Sequence, residues 1–227
     1  MSKRALQMNL RRERILDAAR SVISEQGYDC LTMRSLARAS GVTVPTIYNL
    51  IGNKDAVLGA TILDGGTRFF GEVRPGAGPV ALLEKNVAEL LRQPAYYKPL
   101  LRVLLHGGAS EAMAEIDSLY LEHLQATLEA MAGRGELEPW VDCAILAERL
   151  LSNLYGAASE WATGLISDEA LPLVAGFDAN LTLAGVATEK TRKLFQRHAE
   201  QLQTSPIEGG RARRKPAAGR GSSTHEA

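Results

Sequence analysis

Cysteine is scarce in this sequence: Cys30 and Cys143 are the two in 227 residues, far apart and without Cys-x-x-Cys or Cys/His spacing. That spacing gives no support to a metal site and leaves two reduced thiols that behave as small hydrophobes. Aromatic residues make up 5% of the chain, and β-branched clusters are rare beside abundant Ala and Leu, which favours helix over sheet throughout. No run of about 18 apolar residues occurs, and the charged start MSKRALQMNLRRERI lacks the apolar core of a signal peptide, so a cytoplasmic protein without membrane contact is expected. Catalytic signatures are missing as well. There is no Walker loop, HExxH or GxSxG, the histidines His106, His123, His198 and His225 are scattered, and Glu111 and Glu115 read as a solvated helix face. An enzyme is not expected, and no cofactor is implied.

What the sequence does have is an uneven charge distribution. Lys+Arg and Asp+Glu are equal at 26 each, yet residues 1–60 carry nine basic against five acidic side chains, residues 61–203 carry 12 against 19, and the remainder five against two. A basic front end on an acidic body suggests a polyanion partner for the first part and a different task for the second.

Hydrophobic periodicity places a helix from Arg11 to Gln26, with Ile15, Leu16, Ala19, Val22 and Ile23 on one stripe. Thr32 caps a short helix, MRSLARAS, that stops at Gly41. Thr43 caps a third, in which Pro45 occupies the first turn, where a missing N–H costs nothing. Asn53 caps a fourth that runs toward Gly65-Gly66 or Phe70. After the linker RPGAGP, helices are expected near 79–92, 95–106, 109–131, 140–166 and 178–203, with GGAS, GRGELEP and SDEALPLVAGF as breaks. The all-α reading divides the chain into a helix-turn-helix domain at 1–60, a helical body at 61–203, and a basic disordered tail at 204–227.

Ala37, Gly41 and Ile47 have the spacing of two helices that cross steeply: a small residue allows close approach, a glycine makes the corner, and a branched residue fills the inner face with Leu36 and Val42. In such a unit the start of the second helix enters the major groove of double-stranded DNA and its flanks meet phosphates. Val44 and the ring of Pro45 suit a thymine methyl, Thr46 and Tyr48 suit phosphates, and Asn49 suits a phosphate or a base edge. Arg34 suits bidentate guanine contact. Thr32 and Thr43 combine capping with a place at the backbone. Lys54 sits in the first turn of a helix, where the positive dipole end opposes it unless an external anion is bound. A helical protein-interaction module without sequence-specific DNA binding is the competing class.

The segment LTMRSLARASGVTVPTIYNLIGNKDAVLGA, residues 31–60, resembles the DNA-binding region of the TetR family of transcriptional regulators. Thr32, Ala37, Gly41, Tyr48, Lys54 and the run Ala56-Val57-Leu58 carry the likeness, and WATGLIS at 161–167 extends it loosely. The chain departs from the family at Asn49-Leu50-Ile51, where an aromatic or histidine followed by phenylalanine is usual; Ile51 is expected to fill the place of that phenylalanine. The resemblance implies a body that binds a small-molecule effector and a repressor released by it, with an activator of the same architecture as the alternative.

In the expected helix 140–166, Leu146, Leu150, Leu154, Ala158, Trp161 and Leu165 lie beside Ala147, Leu151 and Tyr155, a stripe too wide for a surface helix. It implies either a wholly internal core or a homodimer through this helix and the one near 178–203. A two-fold dimer would space its recognition helices by about 34–36 Å and so require a palindromic operator. Tyr97, Arg102, His106, Met113, Asn153 and Trp161, polar or soft groups within apolar helices, are candidate effector contacts or satisfied core residues.

Overall fold

The helix starts in the front end follow from short side-chain contacts that the sequence itself dictates. In the computed structural model, which describes residues 3–74, 76–105, 107 and 109–204, Thr32 Oγ1 accepts from the Ser35 N–H at 3.0 Å while Ser35 Oγ accepts from the Thr32 N–H at 2.9 Å. This reciprocal cap opens α2 (Met33–Ser40). Thr43 caps α3 (Val44–Leu50), and Asn53 Oδ1 caps α4 (Lys54–Gly71) by accepting from Ala56 N–H at 2.9 Å. Between α2 and α3, Gly41 has φ +66°, a conformation in which a Cβ would be strained.

α1 (Lys3–Gln26) begins earlier than the periodicity predicts. Its extra turns, Lys3 to Leu10, bury nothing, so no apolar stripe announces them. From Ile15 onward Ile15, Ala19, Val22 and Ile23 are buried in one cluster with Leu36, Ile47, Val57 and Leu58, and that cluster continues without interruption into Ile62, Phe69, Leu100 and Ile116. The front end and the body therefore share a core, and α4 crosses residue 60 unbroken.

The body is built from α5 (Pro79–Arg92), α6 (Pro94–Leu105), α7 (Ser110–Gly133), α8 (Cys143–Ala162), α9 (Ala170–Val186) and α10 (Glu189–Thr204). α7 packs between α4 and α8, and α9 packs on α5, α8 and α10, while α6 lies against α1 and α8. Two expectations are corrected here. SDEALPLVAGF is not a break: α9 starts inside it, because Pro172 falls in the first turn, where proline is tolerated. The single helix expected at 178–203 is two, interrupted at Ala187-Thr188. There the backbone turns extended and pairs with the 136–138 loop, Glu138 N–H donating to Val186 O at 2.9 Å and Thr188 N–H to Glu136 O at 3.0 Å. Among the described residues this isolated bridge, Leu137 with Ala187, is the nearest approach to a strand. Cys30 is exposed rather than packed, and both cysteines are free. The expected tail lies, beyond Thr204, outside the described residues.

Candidate nucleic-acid interface and interior cavity

α2 and α3 bury one side each, through Leu36 and Ile47, against α1. The opposite side carries the expected contact residues. Thr32, Arg34, Thr43, Pro45, Tyr48 and Asn49 are exposed, and Val44, Thr46 and Lys54 are half-buried. Tyr48 is 52% exposed, so it does not pack on α1, and Thr43 Oγ1 shares a hydrogen with Thr46 Oγ1 at 2.8 Å. Leu50 and Ile51 lean on the core, as expected for Ile51. The result is a short helix with its caps satisfied internally and its hydroxyls, amide and apolar ring turned outward.

Lys54 differs from expectation. Its ammonium does not wait for an external anion: Nζ lies 3.9 Å from the centroid of the Tyr28 ring and donates to the Tyr28 carbonyl at 3.3 Å. The chain returns 26 residues to supply this seat, which offsets the repulsion from the helix terminus. Burial, then Asp55 and Asp29, push the Tyr28 phenol above its ordinary range.

Behind the front end lies a cavity of about 470 Å³, bounded by α4, α5, α6, α7 and α8 and touched by Asp17 and Arg20 of α1. Its size falls within the range of small-molecule sites. Phe69, Leu100, Leu104, Met113, Ile116 and Leu154 make the apolar wall. α4 and α7 meet closely at Gly66, where a Cβ would stand 2.0 Å from Ile116 Cδ1. Four of the six tyrosines, Tyr96, Tyr97, Tyr120 and Tyr155, line the cavity. Tyr97 donates to Glu89 Oε1 at 2.9 Å, Tyr120 accepts from Asn86, and Tyr155 donates to Asp117. Burial raises all three phenols further than any neighbouring charge does, so they stay neutral.

Of the expected effector contacts, Tyr97 and Met113 line this cavity. Arg102, Asn153 and Trp161 do not. Arg102 Nε donates to Ala162 O at 2.7 Å, Asn153 Nδ2 to Thr182 Oγ1 at 2.9 Å, and Trp161, fully buried, gives its indole N–H to Asp168 at 2.8 Å, so each is engaged in holding helices together. His106 lies outside the described residues. Tyr96, Tyr120, Tyr155, Asn86 and Arg20 were not foreseen. The available signal was compositional: in a chain this poor in aromatics, the Tyr96-Tyr97 pair and the tyrosines inside α7 and α8 are conspicuous. Among the described residues no group of three His, Cys, Asp or Glu could hold a metal, and no helix is long and apolar enough to cross a membrane.

Residues 15–61 match the family model described as "Bacterial regulatory proteins, tetR family". The chain is 25% identical over 160 residues, 66% of its length and 80% of the relative's, to the HTH-type transcriptional regulator UidR of Escherichia coli (strain K12). It is 39% identical over 69 residues, 30% of its own length and 32% of the relative's, to the tetracycline repressor protein class D of Escherichia coli. Its fold is similar to that of SmeT, the repressor of the Stenotrophomonas maltophilia multidrug efflux pump SmeDEF, with a TM-score of 0.64 at 20% identity over 79% of this chain and 92% of that one.

Proposed function

We propose that the chain, whose residues 15–61 match the model of the TetR family of bacterial regulatory proteins, is a transcriptional regulator of that family, that it represses by occupying a palindromic operator as a homodimer, and that it leaves the operator when a small molecule fills the cavity. Residues 1–60 read DNA, and residues 61–203 bind the effector and the second subunit. On the reading head Arg34 takes a guanine edge, Val44 and Pro45 meet a thymine methyl, and Thr32, Thr43, Thr46, Tyr48, Asn49 and Lys54 hold phosphates or a base edge. Repression requires only occupancy, since a bound dimer blocks polymerase without further machinery.

The observation that carries this reading is the outward display on α2, α3 and their caps: eight candidate contacts besides Lys54, none of them buried, around a recognition helix whose inner face is fixed by Ile47. Support for the dimer comes from α9. In its 17 residues the only charge is Asp178, a composition suited to burial on all sides, yet Leu181 is 54% exposed and Phe177 and Val174 are half-buried in the single chain. The adjoining outer face of α8 presents Ile145, Ser152 and Gly156, so a second copy packed on α8 and α9 would cover both. Support for the effector comes from the cavity's position, bounded by α4 and touched by α1, so that its contents bear on the reading head directly.

Selection of bound sequences from a random duplex DNA pool at near-physiological salt tests the reading. A recovered palindrome with half-sites about one helical turn apart is the expected result. Salt-sensitive binding with no sequence preference would overturn it.

A further inference from the structure

Two phenol hydroxyls of the cavity, those of Tyr96 and Tyr120, donate to no protein group among the described residues. Tyr96 lines the cavity and is 5% exposed, and its hydroxyl makes no hydrogen bond among the described residues. The other three tyrosine hydroxyls of the cavity are all engaged. The Tyr96 oxygen is not one of the enclosed atoms that lack a partner, so solvent in the cavity reaches it, and a ligand acceptor takes the place of that solvent.

The charges around Tyr96 narrow the class of acceptor. Arg20 of α1 and Arg68 of α4 both pair with one carboxylate, Asp64, the second at 2.8 Å. Arg20 has one further partner, Asp17, at 3.3 Å, whose side chain is largely in solvent and therefore screened. Two guanidinium groups thus share one well-placed carboxylate beside a neutral phenol. Two further acids lining the cavity are already engaged, Glu89 by Arg92 and Tyr97, and Glu72 by Lys85 at 3.6 Å. Burial pushes the Tyr96 phenol up to about 12, with Arg20 and Arg68 pulling it back down and Asp64 raising it, which places all three charges within electrostatic reach and keeps the hydroxyl a donor.

Resting on the effector reading above, we propose that the ligand is an amphipathic acid, its carboxylate accepting from the Tyr96 hydroxyl and pairing with Arg20 while its apolar body lies against Phe69, Leu100, Met113 and Leu154. The same contact supplies the switch. The Arg20 to Asp64 ion pair ties α1 of the reading head to α4 of the cavity wall, and the ligand carboxylate competes with Asp64 for Arg20, so binding loosens that tie.

The test uses the full-length protein, two carboxylate probes of different body, decanoate and 2-naphthoate, and for each the matching alcohol and amine. Calorimetric titration should show at least one acid bound, its alcohol more weakly, and its amine at least tenfold more weakly. Tyr96→Phe, which keeps the ring and its packing, should weaken the acid tenfold or more and alter the alcohol less. Asp64→Asn should tighten the acid several-fold. Binding of the amine equal to that of the acid, an acid affinity unchanged by Tyr96→Phe, or failure of both acids to bind would overturn the assignment. Release of operator DNA is measured in parallel. A neutral compound that binds and releases DNA while acids do neither would refute the acid class and leave the effector site standing. An acid that binds through Tyr96 without releasing DNA would refute the effector reading itself.

Discussion

Replacing Lys54 by alanine removes an internal seat and a candidate phosphate contact together, and the two can be separated. The ammonium sits over the Tyr28 ring at 3.9 Å and donates to the Tyr28 carbonyl at 3.3 Å. A cation over an aromatic face at a partly exposed site contributes about 0.5–1 kcal/mol, and a hydrogen bond from a charged donor about 1.5–3 kcal/mol, toward the low end for so long a bond. Against this, the positive end of α4 repels the lysine by about 0.3–1 kcal/mol. The net loss is about 1–2 kcal/mol, and alanine adds no helix-propensity cost. For a chain of this size that lowers Tm by roughly 3–6 °C in a calorimetric scan. If the same ammonium also meets a phosphate in each half-site, the slope of log K against log salt on operator DNA falls by about 1.8 per dimer, at about 0.9 per contact. A Tm unchanged within about 1 °C would refute the seat on Tyr28. A lowered Tm with an unchanged salt slope would make Lys54 a residue that holds α4 to the Tyr28 turn and nothing more.

Arg34→Ala should weaken specific binding by about 1–3 kcal/mol and relax preference at one base pair per half-site, measured by competition among single-base operator variants; equal discrimination would exclude the guanine contact. If α8 and α9 form the proposed dimer seam, Leu181→Asp should give a folded monomer in sedimentation where the wild type is a dimer, and an intact dimer would place the interface elsewhere. Gly66→Ala drives a methyl group into Ile116, which must swing into the cavity, so Tm falls by a few degrees and decanoate binding weakens; unchanged binding would contradict the close approach of α4 and α7. The Asp168 carboxyl is held below the usual 3.8 by hydrogen bonds from Lys98 and then Trp161. Its stabilising share is therefore complete above about pH 4 and is lost as pH falls through the lowered value. The stability gap between wild type and Asp168→Asn should stay constant from pH 8 to 5 and close below 4, and a gap already closing between pH 7 and 5 would refute the assignment.

The elements that were legible in the sequence are those whose causes are local. Thr32, Thr43 and Asn53 cap from three residues away, and Gly41 takes its conformation alone, so the helix-turn-helix could be read almost to the residue. The start of α9 was not legible, because a proline in a first turn and a proline that ends a helix look alike until the helix is seen. The break at Ala187 was hidden for a different reason: its cause is a pairing with residues about 50 positions earlier. Lys54 shows the same limit, since its partner is 26 residues back. The cavity escaped most completely. Six helices contribute to it, and nothing in the spacing of Tyr96, Tyr120 and Tyr155 along the chain indicates that they face one space.

α4 runs unbroken for 18 residues from its cap at Asn53, beside the recognition helix, to Gly71 at the cavity. At 1.5 Å per residue it is a rigid arm about 27 Å long. A tilt of about 5° at the cavity end would sweep the far end through about 2.4 Å over that length, and in the proposed two-fold dimer the change in separation of the heads would double to about 5 Å. That would exceed the rise of one base pair, about 3.4 Å, so in the proposed dimer a small tilt at the cavity end of α4 would put the pair of heads out of step with the groove.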